Sequence, residues 1–138
     1  MEQSKKYATL FGGGHRDTTS IEYKETILIG KLLADKGYVI KNGGYFGLME
    51  AVSKGASENN GEVLGFTCRT FRTIKGNDYL TKNYPCDDLY IRLKCLLEES
   101  EVFIVQRGGL GTLSEIATLL DEARKMEAPP KIYVTGVS

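Results

Sequence analysis

Several residue types that mark particular protein classes are scarce in this sequence. Among its 138 residues there are no tryptophans, three cysteines and one histidine, and 18 Lys and Arg balance 18 Asp and Glu. The odd cysteine count, at spacings that fit neither a metal cluster nor a redox pair, predicts reduced thiols in a cytoplasmic protein. A single histidine argues against a histidine-rich metal site. The zero charge balance argues against a general binder of nucleic acid or of membrane surfaces.

Long apolar runs are also absent. No run approaches the length needed to cross a membrane, and the N-terminal apolar run is too short for the core of a signal peptide. We find no low-complexity segment, no linker and no cluster of hard oxygen ligands, so neither a metal nor another cofactor is expected. The length, with 41% hydrophobic and 26% charged residues, predicts one globular domain over residues 1–138.

What the sequence does contain is an alternation of short apolar runs and helical patterns. Strands are predicted over residues 6–11, 38–41, 62–67, 101–106 and 131–136, and helices over 19–37, 48–61, 87–100 and 112–126. Thr19 and Glu22 resemble a capping box, while Gly37 and Gly61 fit the ends of the first two helices. This alternation predicts a doubly wound α/β fold, with a parallel sheet covered by helices on both faces. The stretch 68–86 lacks clear periodicity, and a loop of that length is uncommon unless it is functional or mobile.

Three glycine clusters each follow a predicted strand. The carboxyl ends of parallel strands lie at one edge of the sheet, where doubly wound folds bind ligands. Glycine allows close approach of the backbone, and a helix N-terminus behind it offers unpaired N–H groups to an anion. The clusters therefore predict a phosphate site that includes Gly12, Gly13, Gly43, Gly44, Gly47, Gly108, Gly109 and Gly111. Neither a Walker motif nor G-x-G-x-x-G is present, so an ordinary P-loop or NAD domain is not indicated.

The stretch "RGGLGTLSE" (107–115) resembles the signature P-G-G-x-G-T-x-x-E of the Lonely Guy family, and "NGGYFGLMEAVSKGA" (42–56) is similar to another segment of that family. The resemblance runs from Phe11 to about Tyr133. It implies a Rossmann-like fold and a phosphoribohydrolase that cleaves the N-glycosidic bond of a nucleoside 5′-monophosphate, giving free base and ribose 5-phosphate. It also implies a homodimer or larger assembly. The family has long been labelled as lysine decarboxylases, but no pyridoxal-phosphate site is recognisable here.

The resemblance also implies roles for two residues. Arg92, fifteen positions before the signature, matches the family's catalytic arginine, and Glu115 matches its catalytic glutamate. Each has a structural alternative. Arg92 is otherwise a solvated charge on a helix, and Glu115 is otherwise half of a capping box with Thr112, which we also place among the phosphate-binding residues.

Three positions depart from the family pattern. Leu93 stands where a lysine normally follows the catalytic arginine, and Lys94 comes one place later. Arg107 replaces the signature proline and either adds a bidentate contact to a phosphate-rich ligand or points to solvent. Asn42 replaces a glycine, which is tolerable if this residue adopts the left-handed conformation.

Four further residues have two interpretations each. Glu50 is a second carboxylate at the site or a partner of its helix dipole. His15 is a ligand contact or an exposed loop residue. Tyr45 and Phe46 stack on a base or pack in the core.

Two functions from different classes remain open at this point. The first is the hydrolase, for which Arg92 and Glu115 are retained. The second is a module of the same fold that holds a nucleotide or an ADP-ribose-like ligand without turnover, which Arg107 and the chain length favour. In both cases the partner is a small-molecule nucleotide.

Overall fold

A computed structural model provides the structure, which describes residues 4–15, 17–106 and 110–135; between 110 and 116, Glu115 is the one residue whose side chain is described. The strands are β1 (Lys6–Phe11), β2 (Tyr38–Asn42), β3 (Val63–Gly65), β4 (Lys82–Asn83), β5 (Ser100–Val105) and β6 (Lys131–Val134). The helices are α1 (Ile21–Asp35), α2 (Leu48–Glu58), α3 (Leu89–Leu97) and α4 (Leu110–Ala123). No helix in these ranges is long and apolar enough to cross a membrane.

The strands within the described ranges form one parallel sheet in the order β4-β3-β2-β1-β5-β6. From β1 the chain first extends the sheet on one side, with β2, β3 and β4. It then crosses to the other side of β1, where β5 and β6 lie, so the order of connection reverses between β1 and β5. Such a reversal opens a crevice at the carboxyl ends of the two central strands. The predicted Rossmann-like α/β fold is confirmed.

The central strands bury both of their faces. Alternate side chains point to opposite sides, so that one strand supplies two cores. One core packs β-strand residues against α1 and α2, and its members include Leu10, Ile40, Ile104, Leu33 and Val52. The other packs the opposite sheet face against α3 and α4, and its members include Phe11, Phe103, Val105, Leu96 and Leu119.

The ends of α1 differ in part from the prediction. Ser20 is the N-cap, and its hydroxyl accepts a hydrogen bond from the Tyr23 N–H at 3.1 Å. Thr19 instead donates its hydroxyl to Asp17 at 2.6 Å, so the predicted capping box of Thr19 and Glu22 is wrong. At the other end, Gly37 follows the helix with φ +84°, the left-handed conformation predicted for it.

The end of α2 comes three residues earlier than predicted. Asn60, with φ +59°, takes the left-handed position, and the Gly61 N–H donates to the carbonyl oxygen of Ala56 at 2.8 Å. This is the hydrogen-bond pattern of a Schellman motif, in which asparagine replaces the usual glycine.

The aperiodic stretch 68–86 runs along β3 and contains β4, which the sequence did not reveal because it is two residues long. Cys68 and Cys86 form a parallel bridge, and the Tyr84 N–H donates to the Gly65 carbonyl at 2.8 Å. Asn77 donates its N–H to the Gly44 carbonyl at 2.8 Å. Main-chain hydrogen bonds therefore fix this segment beside the carboxyl edge of the sheet.

Candidate functional site

A cleft of about 250 Å³ opens at the carboxyl edge, where the strand order reverses. It receives residues from the ends of β1 and β2, from α2, α3 and α4, and from the segment after β3. Its described lining consists of Leu10, Phe11, Gly12, Gly13, Gly14, Gly43, Tyr45, Met49, Phe71, Arg92 and Glu115. The fold thus brings together residues that are up to about a hundred positions apart in the sequence.

The first two glycine turns meet at this cleft. Gly12, Gly13 and Gly43 line it, whereas Gly44 and Gly47 are not among its lining residues. At Gly47, with φ +68°, a Cβ atom would lie 2.6 Å from the carbonyl oxygen of Gly13, which also accepts the Leu48 N–H at 3.0 Å. Gly47 therefore allows the second turn to contact the first.

The third glycine turn is described only in part. Arg107, Gly108 and Gly109 lie outside the described residues, and Gly111 and Thr112 are described as backbone of α4. The helix begins at Leu110, two residues earlier than predicted. Thr112 is therefore inside the first turn rather than at the N-cap, and the proposed capping box of Thr112 with Glu115 is wrong.

Arg92 projects from α3 to the cleft and is held by main-chain atoms. Its Nε donates to the carbonyl oxygen of Phe66 at 2.6 Å, and its Nη2 donates to that of Gly43 at 3.1 Å. Its Cζ lies 5.5 Å from the ring centroid of Tyr45 and 5.4 Å from that of Phe71, close enough for cation–π attraction. The alternative of a solvated helix charge does not describe this side chain.

The position of α3, and so of Arg92, is set at both ends of the helix. Asp88 caps the first turn by accepting the Ile91 N–H at 2.9 Å. At the other end, the Nζ atom of buried Lys41 donates to the carbonyl oxygens of Cys95 at 3.0 Å and Glu98 at 2.7 Å. Burial lowers the pKa of Lys41, while the nearby carboxylate of Glu99 opposes this shift. A cation at a helix C-terminus also interacts favourably with the helix dipole.

Glu115 lies on α4 and lines the same cleft as Arg92. Burial raises the pKa of Glu115 to about 7, and the positive charge of Arg92 opposes that rise. A carboxyl group with a pKa near neutrality can both accept and release a proton under ordinary conditions. Perturbed carboxyl groups in clefts are frequent at functional sites, although burial alone also produces them.

Tyr45 lines the cleft with its ring, but its hydroxyl is directed into the 68–74 turn. The hydroxyl oxygen accepts the Cys68 N–H at 2.9 Å and donates to the carbonyl oxygen of Thr73 at 2.8 Å. Phe71, in that turn, faces Tyr45 with ring centroids 5.6 Å apart. Phe71 was not selected from the sequence, although it lies in the long aperiodic segment, whose length was a signal of a functional loop.

Three further candidates are not part of the described cleft lining. Glu50 is 6% exposed, and its Oε1 accepts a hydrogen bond from the Tyr23 hydroxyl at 3.0 Å. Glu50 is not part of the described cleft lining, and its interpretation as a second carboxylate of the site stays a prediction. His15 is exposed in the loop after β1. Phe46 is half-buried and is likewise not part of the described lining.

Asn42 fills the place of the family's glycine by a different means from the one predicted. It is not among the residues with positive φ; instead its Oδ1 accepts the Gly44 N–H at 2.7 Å and its Nδ2 donates to Ser53 at 2.8 Å. The side chain thus closes a turn on its own backbone, a common role of asparagine.

Other parts of the described structure hold no comparable constellation. In the ranges that the structure covers, no group of three or more His, Cys, Asp or Glu is placed to hold a metal ion. A larger cavity of about 380 Å³ lies at the amino edge of the sheet, between Tyr38 and the Pro129–Pro130 turn. None of the candidate residues named above lines it, so the carboxyl-edge cleft is the candidate site.

Comparison with known proteins gives two relatives by sequence, one of them a phosphoribohydrolase. An uncharacterized protein of Archaeoglobus fulgidus is 32% identical over 129 residues, which are 93% of this chain and 83% of that protein. The cytokinin riboside 5′-monophosphate phosphoribohydrolase LOG5 of Arabidopsis thaliana is 32% identical over 97 residues, which are 69% of this chain and 42% of the plant enzyme. The matched region therefore spans less than half the length of the plant enzyme.

A solved structure, that of the molybdenum cofactor binding protein from the phototrophic bacterium Rippkaea orientalis, superimposes with a TM-score of 0.75. It is 26% identical, with 98% of this chain and 80% of that chain covered. The model of the SLOG cluster4 family matches residues 5–128. The chain belongs to the SLOG cluster4 family, within the LOG-like superfamily that the resemblance to Lonely Guy proteins indicated.

Proposed function

We propose that the protein is a nucleoside 5′-monophosphate phosphoribohydrolase, which hydrolyses the N-glycosidic bond to free base and ribose 5-phosphate. The observation that carries this proposal is the presence of Arg92 and Glu115 in one cleft, beside the glycine turn that follows β1. These two residues match the catalytic pair implied by the resemblance. Similarity to the Arabidopsis enzyme supports the same reaction class.

Glu115 has the properties needed at the reacting carbon. Cleavage of a glycosidic bond passes through an oxocarbenium-like transition state, in which positive charge develops at C1′. A nearby carboxylate stabilises that charge and accepts a proton from the attacking water. With a pKa of about 7, Glu115 is ionised in a large fraction of molecules at neutral pH and is a stronger base than an ordinary carboxylate.

Arg92 acts on negative charge. A guanidinium does not give up its proton at ordinary pH, so Arg92 is not the general acid. It stabilises charge that develops on the leaving base or lies on the phosphate. Its hydrogen bonds to the main-chain oxygens of Phe66 and Gly43 fix the group before the ligand arrives, which reduces the reorganisation required in the transition state.

The phosphate is assigned to the glycine turns. Gly12, Gly13 and Gly43 bring main-chain atoms to the cleft without side chains in the way. The third turn, with Arg107, Gly108, Gly109, Gly111 and Thr112, is assigned to the phosphate from the signature that it carries. A homodimer or larger assembly stays a prediction, and light scattering of the purified protein tests it.

The experiment is a base-release assay with AMP, CMP, GMP and an N6-substituted AMP. We expect release of base from at least one nucleotide, and a loss of about a hundredfold or more with Glu115→Gln. Glu122→Gln is the matched control, because Glu122 lies on α4 with its side chain 58% exposed. Base release that survives unchanged in Glu115→Gln would contradict the assignment of Glu115.

A second candidate function is a carrier or sensor that holds its ligand intact. The similarity over nearly the whole chain to a molybdenum cofactor binding protein favours it. In that case the same cleft would bind a ligand, seen as a thermal shift with nucleotides or ADP-ribose, and the base-release assay would give no product with any nucleotide.

A further inference from the structure

Phe71 is an aromatic residue in the cleft wall that remains 42% exposed. Covering the exposed apolar surface of this ring with a ligand would be favourable, because apolar surface would be removed from water. Its two neighbours, Arg92 at 5.4 Å and Tyr45 at 5.6 Å from its centroid, are both held by hydrogen bonds to main-chain atoms. The remaining apolar surface of the ring is therefore available to a molecule that enters the cleft.

The turn that carries Phe71 is held at both ends. The Tyr45 hydroxyl binds main-chain atoms of Cys68 and Thr73, at 2.9 and 2.8 Å. Beyond it, Asn83 donates its Nδ2 to the carbonyl oxygen of Ile74 at 2.8 Å. These contacts order the turn in the absence of a ligand, so that its aromatic residue does not have to be immobilised on binding.

We propose that Phe71 is the platform on which the cleft receives the base, and that Tyr45 is the positioning residue that holds this platform. The cleft then selects ligands in which a planar heteroaromatic ring is joined to a sugar phosphate, over the sugar phosphate alone. The proposal rests on the proposed function in one respect, namely that the ligand is a nucleotide. It does not require that the nucleotide be hydrolysed.

The competing role for Phe71 is to shield Arg92 from water. The two roles differ in what they do to ribose 5-phosphate, which has the phosphate and sugar but no base. Loss of a base platform weakens binding of AMP and leaves ribose 5-phosphate unaffected. Loss of a shield weakens both ligands, because both depend on the electrostatics around Arg92.

The test is calorimetric titration of AMP and of ribose 5-phosphate, with every variant carried in the Glu115→Gln protein so that AMP is not consumed. We expect Phe71→Ala to weaken AMP about tenfold, the usual range for loss of one base–aromatic stack. Ribose 5-phosphate should change by less than about twofold, and Phe71→Trp should retain AMP binding. Tyr45→Phe should show the same selective loss to a smaller degree.

Ile74→Ala is the matched control, because Ile74 is 39% exposed, lies in the same turn and is not part of the described cleft lining. Equal weakening of both ligands by Phe71→Ala, or no weakening of AMP, would overturn the proposal. Absence of AMP binding would overturn it as well. Phe71→Ala could weaken AMP selectively even if the wild-type protein releases no base. That result would support the base platform and reject the hydrolase, so failure of this proposal and failure of the proposed function are distinguishable.

Discussion

The guanidinium of Arg92 lies directly against the backbone of Gly43, where Nη2 donates a hydrogen bond to the carbonyl oxygen at 3.1 Å. A Cβ atom on residue 43 would lie 2.0 Å from that same Nη2 and 2.7 Å from Sδ of Met49. Glycine at this position therefore admits a side chain from another helix. The second glycine turn positions the arginine as well as presenting its own backbone.

Replacement of Gly43 tests this relationship. Gly43→Ala should displace the guanidinium, because the end of a flexible side chain moves more readily than the backbone. We expect a folded protein whose base release falls by about a hundredfold, the lower end of the range for loss of one transition-state donor. Glu122→Gln is the control, since Glu122 is exposed on α4 and is not part of the described cleft lining. Equal activity of the two variants would contradict the role of Gly43.

Glu115 should make stability depend on pH. Its folded pKa of about 7 lies above the ordinary value of 4.5, so the folded state holds the proton more tightly than the unfolded chain does. The stability that protonation contributes is fully present below about pH 4.5 and is lost as pH rises to about 7. Glu115→Gln should therefore unfold with a free energy higher than wild type by up to about 3 kcal/mol at pH 8, and nearly equal at pH 4.5.

Urea denaturation at the two pH values measures this difference. Glu122→Gln, at an exposed position on the same helix, should change the free energy of unfolding by less than about 0.5 kcal/mol at both. If Glu115→Gln were no more stable than wild type at pH 8, the carboxylate would be well solvated or well paired, and its burial would not be the dominant influence.

The same pKa should govern the reaction. If Glu115 acts as a carboxylate, kcat/KM should rise with pH and level off above about 7, because that parameter reports groups of the free enzyme. Arg92→Gln should move the Glu115 pKa upward, since the arginine charge lowers it. Carbon-13 NMR of the Glu115 carboxyl group measures this change in pKa directly and does not depend on an activity assay. A kcat/KM that falls through pH 7 would instead indicate that Glu115 is needed in its protonated form.

Much of the fold follows from the sequence because apolar runs and helical periodicity are local signals. The parallel sheet, the burial of Leu10 and Phe11 on its two faces, and the meeting of the Gly12 and Gly43 turns all follow from that alternation, whereas the order of the strands does not. Arg92 and Glu115 were named from the resemblance, since an arginine within a helix is by itself no evidence of a site.

Contacts between segments distant in sequence were the part that could not be predicted. Glu50 was a candidate because it follows a glycine turn, but its partner is Tyr23, which lies 27 residues earlier in the chain. Phe71 becomes part of the cleft through main-chain hydrogen bonds to Tyr45, and no periodic pattern records such bonds. Caps also shifted by one or two residues, as with Ser20 in place of Thr19, because neighbouring hydroxyls compete for the same N–H groups.

Lys41 provides a test of how α3 is held. Lys41→Met keeps most of the side-chain volume but leaves the carbonyl oxygens of Cys95 and Glu98 without their donor. We expect a loss of about 1–3 kcal/mol in the free energy of unfolding, the range for hydrogen bonds made by a charged group. Hydrogen exchange should increase at the end of α3. Unchanged exchange there would show that the lysine does not anchor the helix.

A product balance tests whether the cleft that Arg92 and Glu115 line hydrolyses a nucleotide. Wild-type protein is incubated with an excess of each nucleoside 5′-monophosphate, and free base and ribose 5-phosphate are both quantified. We expect equal amounts of the two products from at least one nucleotide, in excess over the amount of protein present. Quantitative recovery of every nucleotide intact, from a protein that binds them, would contradict hydrolysis and identify a carrier.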